Sequence, residues 1–189
     1  SSCGGKQKAM GEAITERDSL PVMTTLGVTT LISDSGVTRY RVNTEEWMMY
    51  DRKKPSYWAF EKGVYMEQFD SIFNVEASIK ADTAYYYDKE RLWKLIGNVD
   101  IQNRKGERFN TELLYWNEAT QKVYSDKFIR IQQPDRIITG HGFDSNQQMT
   151  IYTIRNIEGI FYVDEEASSG PPQPETKALP DSVNKDSAK

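Results

Sequence analysis

The chain has 189 residues, a net charge of -4 and a pI near 5.2, which allows one domain with a real core and two loose ends but not two comfortable domains. The acidic balance lacks the basic stripe that nucleic-acid binding needs, so nucleic acid is not an expected partner. No apolar run in the sequence reaches the roughly 18 residues of a spanning helix.

Ser1-Ser2-Cys3-Gly4-Gly5 is similar to the end of a bacterial lipoprotein signal, in which small residues precede a cysteine that becomes lipidated. Cys3 is the only cysteine and forms no internal disulfide; the plainer alternative is an incidental thiol in a loose terminus. The lipidation reading predicts a domain anchored to the inner membrane and working in the periplasm. Residues 1–20 are polar, with Gly4, Gly5 and Gly11, and read as a flexible tether to a folded domain over 21–164.

From Leu26 the pattern is that of strands. Val28, Thr30 and Ile32 alternate with Thr29 and Leu31, Ser33–Gly36 is a turn, and Thr38, Tyr40 and Val42 alternate with Arg39 and Arg41, which makes a hairpin. Its second strand runs into Val42-Asn43-Thr44-Glu45, the first of four similar tetrads. The others are Ile79-Lys80-Ala81-Asp82, Phe109-Asn110-Thr111-Glu112 and Phe143-Asp144-Ser145-Asn146. In the first three, apolar residues follow two and four places after the acid: Trp47 and Met49, Ala84 and Tyr86, Leu114 and Trp116. Further on, an alternating pair closes each unit: Val64 and Met66, Val99 and Ile101, Ile129 and Ile131. A repeat of this length with strand spacing describes β units that bury their apolar face only by stacking on one another. Within a unit the parity changes at the acid. Either a bulge there returns both halves to one side, or the halves face opposite surfaces.

Leu95, Gly97, Val99 and Ile101 interleave with polar neighbours, Asn103–Gly106 and Gln133–Asp135 are turns, and Lys89–Trp93 is a connection rather than a helix. Gly140-His141-Gly142 suggests a bulge or a close backbone approach. Met149, Ile151 and Thr153 define a further strand, Asn156–Gly159 a turn and Ile160–Val163 a last short strand. Residues 165–189 hold four of the seven prolines and no aromatic residue, the composition of a disordered tail.

No catalytic constellation is found. The one histidine, His141, sits between glycines without a flanking motif, and there is no nucleophile elbow, phosphate-cradling loop or CxxC pair. No cofactor or metal is expected. Glu45, Asp82 and Glu112 recur at one place in the repeat, which argues for a structural job such as accepting backbone N–H bonds at a bend. The clusters Trp47–Tyr50 and Tyr85–Tyr87 suit a carbohydrate platform or a lipid-contacting surface, but core packing is the default for about half of them, because alternate strand residues point inward.

Asp82-Thr83-Ala84-Tyr85-Tyr86-Tyr87-Asp88, Leu95–Ile101, the Gly106 turn, Thr111–Trp116 and Ser125–Ile131 together resemble the OstA-like β unit of lipopolysaccharide-export proteins. Thr139–Phe143, with the hairpin strand that ends in the first tetrad, resembles the LptC family. The resemblance covers about Leu26 to Tyr162. It implies an all-β fold, an open, slotted antiparallel β jelly roll of repeated OstA-like units, whose apolar groove accepts lipopolysaccharide acyl chains from an inner-membrane ABC transporter. It also implies edge strands that join a periplasmic bridge protein. Members of the family often carry an N-terminal transmembrane helix, whereas Cys3 here suggests a lipid anchor. The inward, lipid-binding candidates are Trp47, Met49, Val64, Met66, Ala84, Tyr86, Val99, Ile101, Leu114, Trp116, Ile129, Ile131, Phe143, Met149 and Ile151. Two alternatives stay open: a lipoprotein that binds glycan through exposed aromatics, and a closed β-sandwich scaffold.

Overall fold

A computed structural model describes residues 19–34 and 37–163. Cys3, the tether up to residue 18 and the tail over 165–189 lie outside the described residues. Eleven strands form one antiparallel sheet: β1 (Met23–Asp34), β2 (Val37–Tyr50), β3 (Tyr57–Phe60), β4 (Val64–Phe69), β5 (Val75–Ala81), β6 (Thr83–Tyr87), β7 (Leu92–Asn103), β8 (Arg108–Asn117), β9 (Lys122–Gln132), β10 (Arg136–Asn146) and β11 (Tyr152–Tyr162). The first half of β2 pairs with β4 and its second half with β3, while β5 and β6 pair with the last and first halves of β7. β3–β4 and β5–β6 are therefore single strands broken in the middle, and the sheet is a meander in which spatial order equals chain order, from β1 at one edge to β11 at the other.

Every long strand bends at mid-length, and the sheet folds over along that crease into two facing layers. The lower layer holds the first half of β2, β4, β5 and the last half of β7. The upper layer holds the second half of β2, β3, β6 and the first half of β7. The bends resolve the parity change: Ile79 and Ala81 before Asp82, and Ala84 and Tyr86 after it, are all buried in one cluster. The same holds for Phe109 and Leu114 on either side of Glu112. Register shifts mark the crease between Ile96 and Val99, between Thr111 and Tyr115, and between His141 and Phe143. Gly97 and Asn98 on β7 take φ of 80° and 45° there, and Gly142 takes 80°.

The acids of the repeat serve this crease. The Asn98 side-chain amide donates to Asp82 Oδ2 at 2.8 Å, the Asn98 backbone N–H donates to Glu112 Oε2 at 3.3 Å, and the Asp82 N–H donates to the Gly97 carbonyl at 3.0 Å. Thr44 Oγ1 and Thr111 Oγ1 donate across it to the carbonyls of Gly63 and Phe128, both at 2.8 Å. Bend polar groups are thus satisfied locally, which lets the backbone leave the ladder without orphaned donors.

Three expectations change. The fourth tetrad, Phe143–Asn146, lies beyond the bend of β10 and does not occupy the place of the other three. Asn156–Gly159 is not a turn: β11 runs unbroken to Tyr162, because Asn156, Ile157 and Gly159 continue the ladder with His141, Gly140 and Thr139. Ile151 does not point inward and is 76% exposed. The Asn146 side-chain oxygen accepts the N–H groups of Thr150 and Ile151 and holds them in a turn, so β11 starts only at Tyr152.

Candidate functional site

Twelve of the predicted inward residues, Val64, Met66, Ala84, Tyr86, Val99, Ile101, Leu114, Trp116, Ile129, Ile131, Phe143 and Met149, are buried in the single core between the layers. Trp47 packs against that core half-buried, and Met49 is also half-buried. The core also takes in Tyr40, Phe60 and Trp93, none of them among the predicted inward residues, with Trp58 packed against it. Trp93 lies two places before Leu95 on the same face of β7, a signal that was hidden by reading Lys89–Trp93 as a connection. β3 escaped because it is four residues long and follows a charged, proline-ended turn.

The interior is filled over most of its width. Spaces near Met66, Ile79 and Trp116, and near Val42, Trp47 and Phe60, amount to about 10 Å³ and about 0 Å³. The layers part beside Tyr40 and Trp116. A cleft of about 680 Å³ opens between the lower-layer residues Ile32, Arg39, Tyr40, Gln68, Phe69 and Glu76 and the upper-layer residues Trp58, Tyr86, Arg91, Trp116, Glu118 and Gln147. Its floor is aromatic and its rim polar. Behind the floor, Trp93 stacks on Trp116 at 6.3 Å and on Phe60 at 5.5 Å, and Tyr40 meets Trp116 edge-on at 5.4 Å.

Two polar nodes hold the lips together. At the cleft, the Glu118 carboxylate accepts hydrogen bonds from Tyr40 Oη at 2.6 Å, Trp93 Nε1 at 2.8 Å and Tyr86 Oη at 3.3 Å, and Arg91 lies 3.7 Å away. Tyr40 belongs to the lower layer and the other groups to the upper, so this carboxylate is a latch between layers. Further along, the Asn103 amide donates to Glu107 and to the Met149 carbonyl, both at 2.9 Å, and Tyr152 Oη donates to Glu107 Oε2 at 2.5 Å. This second clasp joins the β7–β8 turn of the lower lip to the β10–β11 turn of the upper one, with Met149 plugged beneath it.

Among the described residues, Trp47 Nε1 is a buried side-chain donor without a partner. The ring packs between Trp58 at 5.0 Å and Phe60 at 5.9 Å, with its N–H in apolar surroundings. On the outer face of the upper layer, Tyr50 stacks on Tyr57 at 4.9 Å, Tyr57 meets Tyr85 and Tyr87 at 5.9 Å, and Tyr115 stacks on Tyr124 at 5.3 Å. His141 lies on the outer side of β10 between Glu158 and the Phe128 ring. Among the described residues no group of acidic, histidine or cysteine side chains is placed to hold a metal ion, and no helix is long and apolar enough to cross a membrane.

Burial, reinforced by the neighbouring Glu118 charge, pushes the Tyr40 hydroxyl far above the ordinary tyrosine range and that of Tyr86 up to about 12. Burial and the bond to Glu107 push Tyr152 up to about 12. Because the folded values exceed the unfolded value of 10.0, the stability these hydroxyls contribute is complete below pH 10 and is lost as pH rises through about 12. The urea midpoint is expected to be level up to about pH 9.5 and to fall between about pH 10 and 12, and Tyr86→Phe with Tyr152→Phe should make that fall shallower. A midpoint that falls equally in the double variant would contradict this account.

Residues 18–160, most of the chain, match the model of a protein family described as lipopolysaccharide-assembly, LptC-related. No curated protein matches the sequence.

Proposed function

Because the chain belongs to the LptC-related family of lipopolysaccharide assembly, we propose that it is a periplasmic carrier that takes lipopolysaccharide acyl chains into the apolar space between its two layers. In this reading it is tethered to the inner membrane through a lipid on Cys3, receives its cargo from an inner-membrane ABC transporter, and passes it along a bridge of β strands joined edge to edge. The family itself carries a role in lipopolysaccharide transport; the groove, tether and bridge are the finer proposal.

The observation that carries the groove is the cleft of about 680 Å³ that leads onto an aromatic floor and, behind it, an unbroken apolar interior. An acyl chain held in water exposes about 0.8 kcal/mol per CH2, on the order of 10 kcal/mol for one chain, and apolar walls remove that cost without chemistry. Loading requires the filled interior to open further, and the Glu118 latch and the Asn103–Glu107 clasp lie where the lips would separate. The unpaired Trp47 N–H gives an entering ester or amide carbonyl a donor. Among the described residues β1 pairs only with β2 and β11 only with β10, which offers two sheet edges for strand addition.

A photoreactive amino acid at Trp58 or Tyr86, on the cleft wall, should be labelled by lipopolysaccharide, and one at Asp100 or Arg130, on the outer face, should not. Equal labelling of both sets would count against the groove, and no labelling of either would favour a closed scaffold. The stacked tyrosines of the outer face support a second reading, glycan binding. Polysaccharide binding abolished by Tyr57→Ala or Tyr85→Ala, in a chain that takes up no acyl probe, would put that reading first.

A further inference from the structure

The β4–β5 turn, on the lower lip of the cleft, displays two large apolar side chains to solvent: Ile72 is 76% and Phe73 53% exposed. The turn is tightly built. Asp70 Oδ1 accepts the backbone N–H groups of Ile72 at 3.0 Å and Asn74 at 2.8 Å, and the Asp70 N–H donates to the Asn74 carbonyl at 2.9 Å. Phe73 takes a φ of 68°, a conformation that a bulky residue adopts only against steric cost, and its ring lies flat on Phe69 at 4.3 Å. Phe69 is anchored in turn beneath the Arg41 guanidinium, 5.5 Å from the ring centre. A chain free to choose would put asparagine or glycine at residue 73 and keep isoleucine out of water at residue 72.

The neighbouring β7–β8 turn carries Arg104 and Lys105, both exposed, and Arg104 is close enough to act on the Asp70 carboxylate. The acids nearby are directed elsewhere: Asp70 is tied into its own turn, and it and Glu76 line the cleft rather than the lip's outer side. The upper-layer turns across the cleft, at Asp88–Arg91 and Glu118–Gln121, are charged or polar. Two apolar side chains on a rigid turn with two exposed cations beside them match the requirements of shallow insertion into an anionic lipid interface, in which rings and aliphatic groups enter the acyl boundary and cations stay with the phosphates.

We propose that the Ile72–Phe73 turn is a membrane-contacting finger that seats the lower lip of the cleft on an anionic lipid surface. Phe69, Asp70 and Ser71 belong both to this turn and to the cleft wall, so the finger would place the cleft mouth at the lipid surface. The inference rests on the lip alone and does not depend on what occupies the interior.

The test is flotation of the 189-residue chain carrying Cys3→Ser, which removes the lipidation site, with vesicles of phosphatidylcholine alone and of phosphatidylcholine mixed with phosphatidylglycerol. The parent chain should partition to the mixed vesicles. Ile72→Ser with Phe73→Asn should lower partitioning roughly tenfold or more, by removing the two inserted side chains. Asparagine tolerates the left-handed backbone at residue 73, so this variant should keep the parent's urea midpoint, which reports that its fold is intact. Arg104→Glu with Lys105→Glu should abolish the preference for the anionic vesicles. A parent chain that does not float, or an Ile72→Ser/Phe73→Asn variant that floats as well as the parent, would overturn the proposal. So would a concentration-dependent dimer lost in that variant while vesicle binding is absent, which would assign the lip to a second copy of the chain.

Discussion

Glu118→Ala should lower the folding free energy by roughly 3 to 5 kcal/mol, a larger loss than any surface carboxylate would give. The carboxylate accepts from Tyr40, Trp93 and Tyr86 at once. Trp93 is completely buried, so its N–H would have no water to turn to. Each buried donor left without an acceptor costs about 1 to 3 kcal/mol, reduced at Tyr40 because the cleft admits solvent to its hydroxyl. Glu118→Gln keeps an acceptor and should lose only about 1 kcal/mol. Urea unfolding should show a lowered midpoint with unchanged slope for Glu118→Ala, and the melting temperature should drop by about 6 to 15 °C. A lipid-binding assay separates stability from gating: with the latch gone the cleft loses its nearest tie between the lips, so an acyl probe should enter Glu118→Ala faster than the parent chain. A folding free energy within about 0.5 kcal/mol of the parent would show that Glu118 does not latch the layers.

Gly140→Ala should cost about 2 to 4 kcal/mol and loosen β11 in particular. A Cβ at residue 140 would stand 2.3 Å from the Asn156 carbonyl oxygen and 2.6 Å from Ile154 Cγ2. The first obstacle is backbone, which cannot rotate away, and Gly140 is itself buried between its partners Ile129 and Ile157. Relief therefore requires β11 to lift off β10, in the way that overpacking moves whole elements rather than single side chains. Amide hydrogen exchange should quicken across β11 and remain slow in β7. Gly106→Ala is the matched control. Its φ is 78° and nothing lies within 4 Å of the added methyl, so it should pay only the backbone cost of about 1 kcal/mol. Equal costs for the two variants would show that β11 is not held as closely as the geometry indicates. If β11 is a joining edge, Gly140→Ala should also weaken strand addition there while leaving the interior able to take lipid.

The repeat made much of this arrangement legible. Alternation at every second residue identified strands, and the parity change at Asp82 and Glu112 located the bends, since a two-residue period returns to the same face only if a residue is inserted or turned out. The glycines flanking His141 pointed to a bulge or a close approach, because a strand rarely spends two glycines so near each other without a steric reason, and the structure has a close approach at Gly140 and a bulge at Gly142. What misled was local likeness without register. Phe143–Asn146 shares residue types with the other tetrads yet sits past the bend, and Asn156–Gly159 has turn composition yet is drawn straight by its pairing with β10. Ile151 keeps step with Met149 in the sequence, but the Asn146 side chain ends the alternation between them.

The sequence by itself determined that the chain is an antiparallel β protein, where the parity of its strands changes, most of the apolar residues that face inward, and the family to which its motifs are similar. Each of these follows from period and order along the chain, and both are properties of neighbours in sequence. Only the tertiary structure decided that Glu118 meets Tyr40, 78 residues away, that the layers part at the cleft beside it, and that Ile72 and Phe73 stand at the lip of that cleft. The reason is physical. Folding the sheet over brings turn residues from opposite layers together at the lips, and no local pattern records which turns will meet.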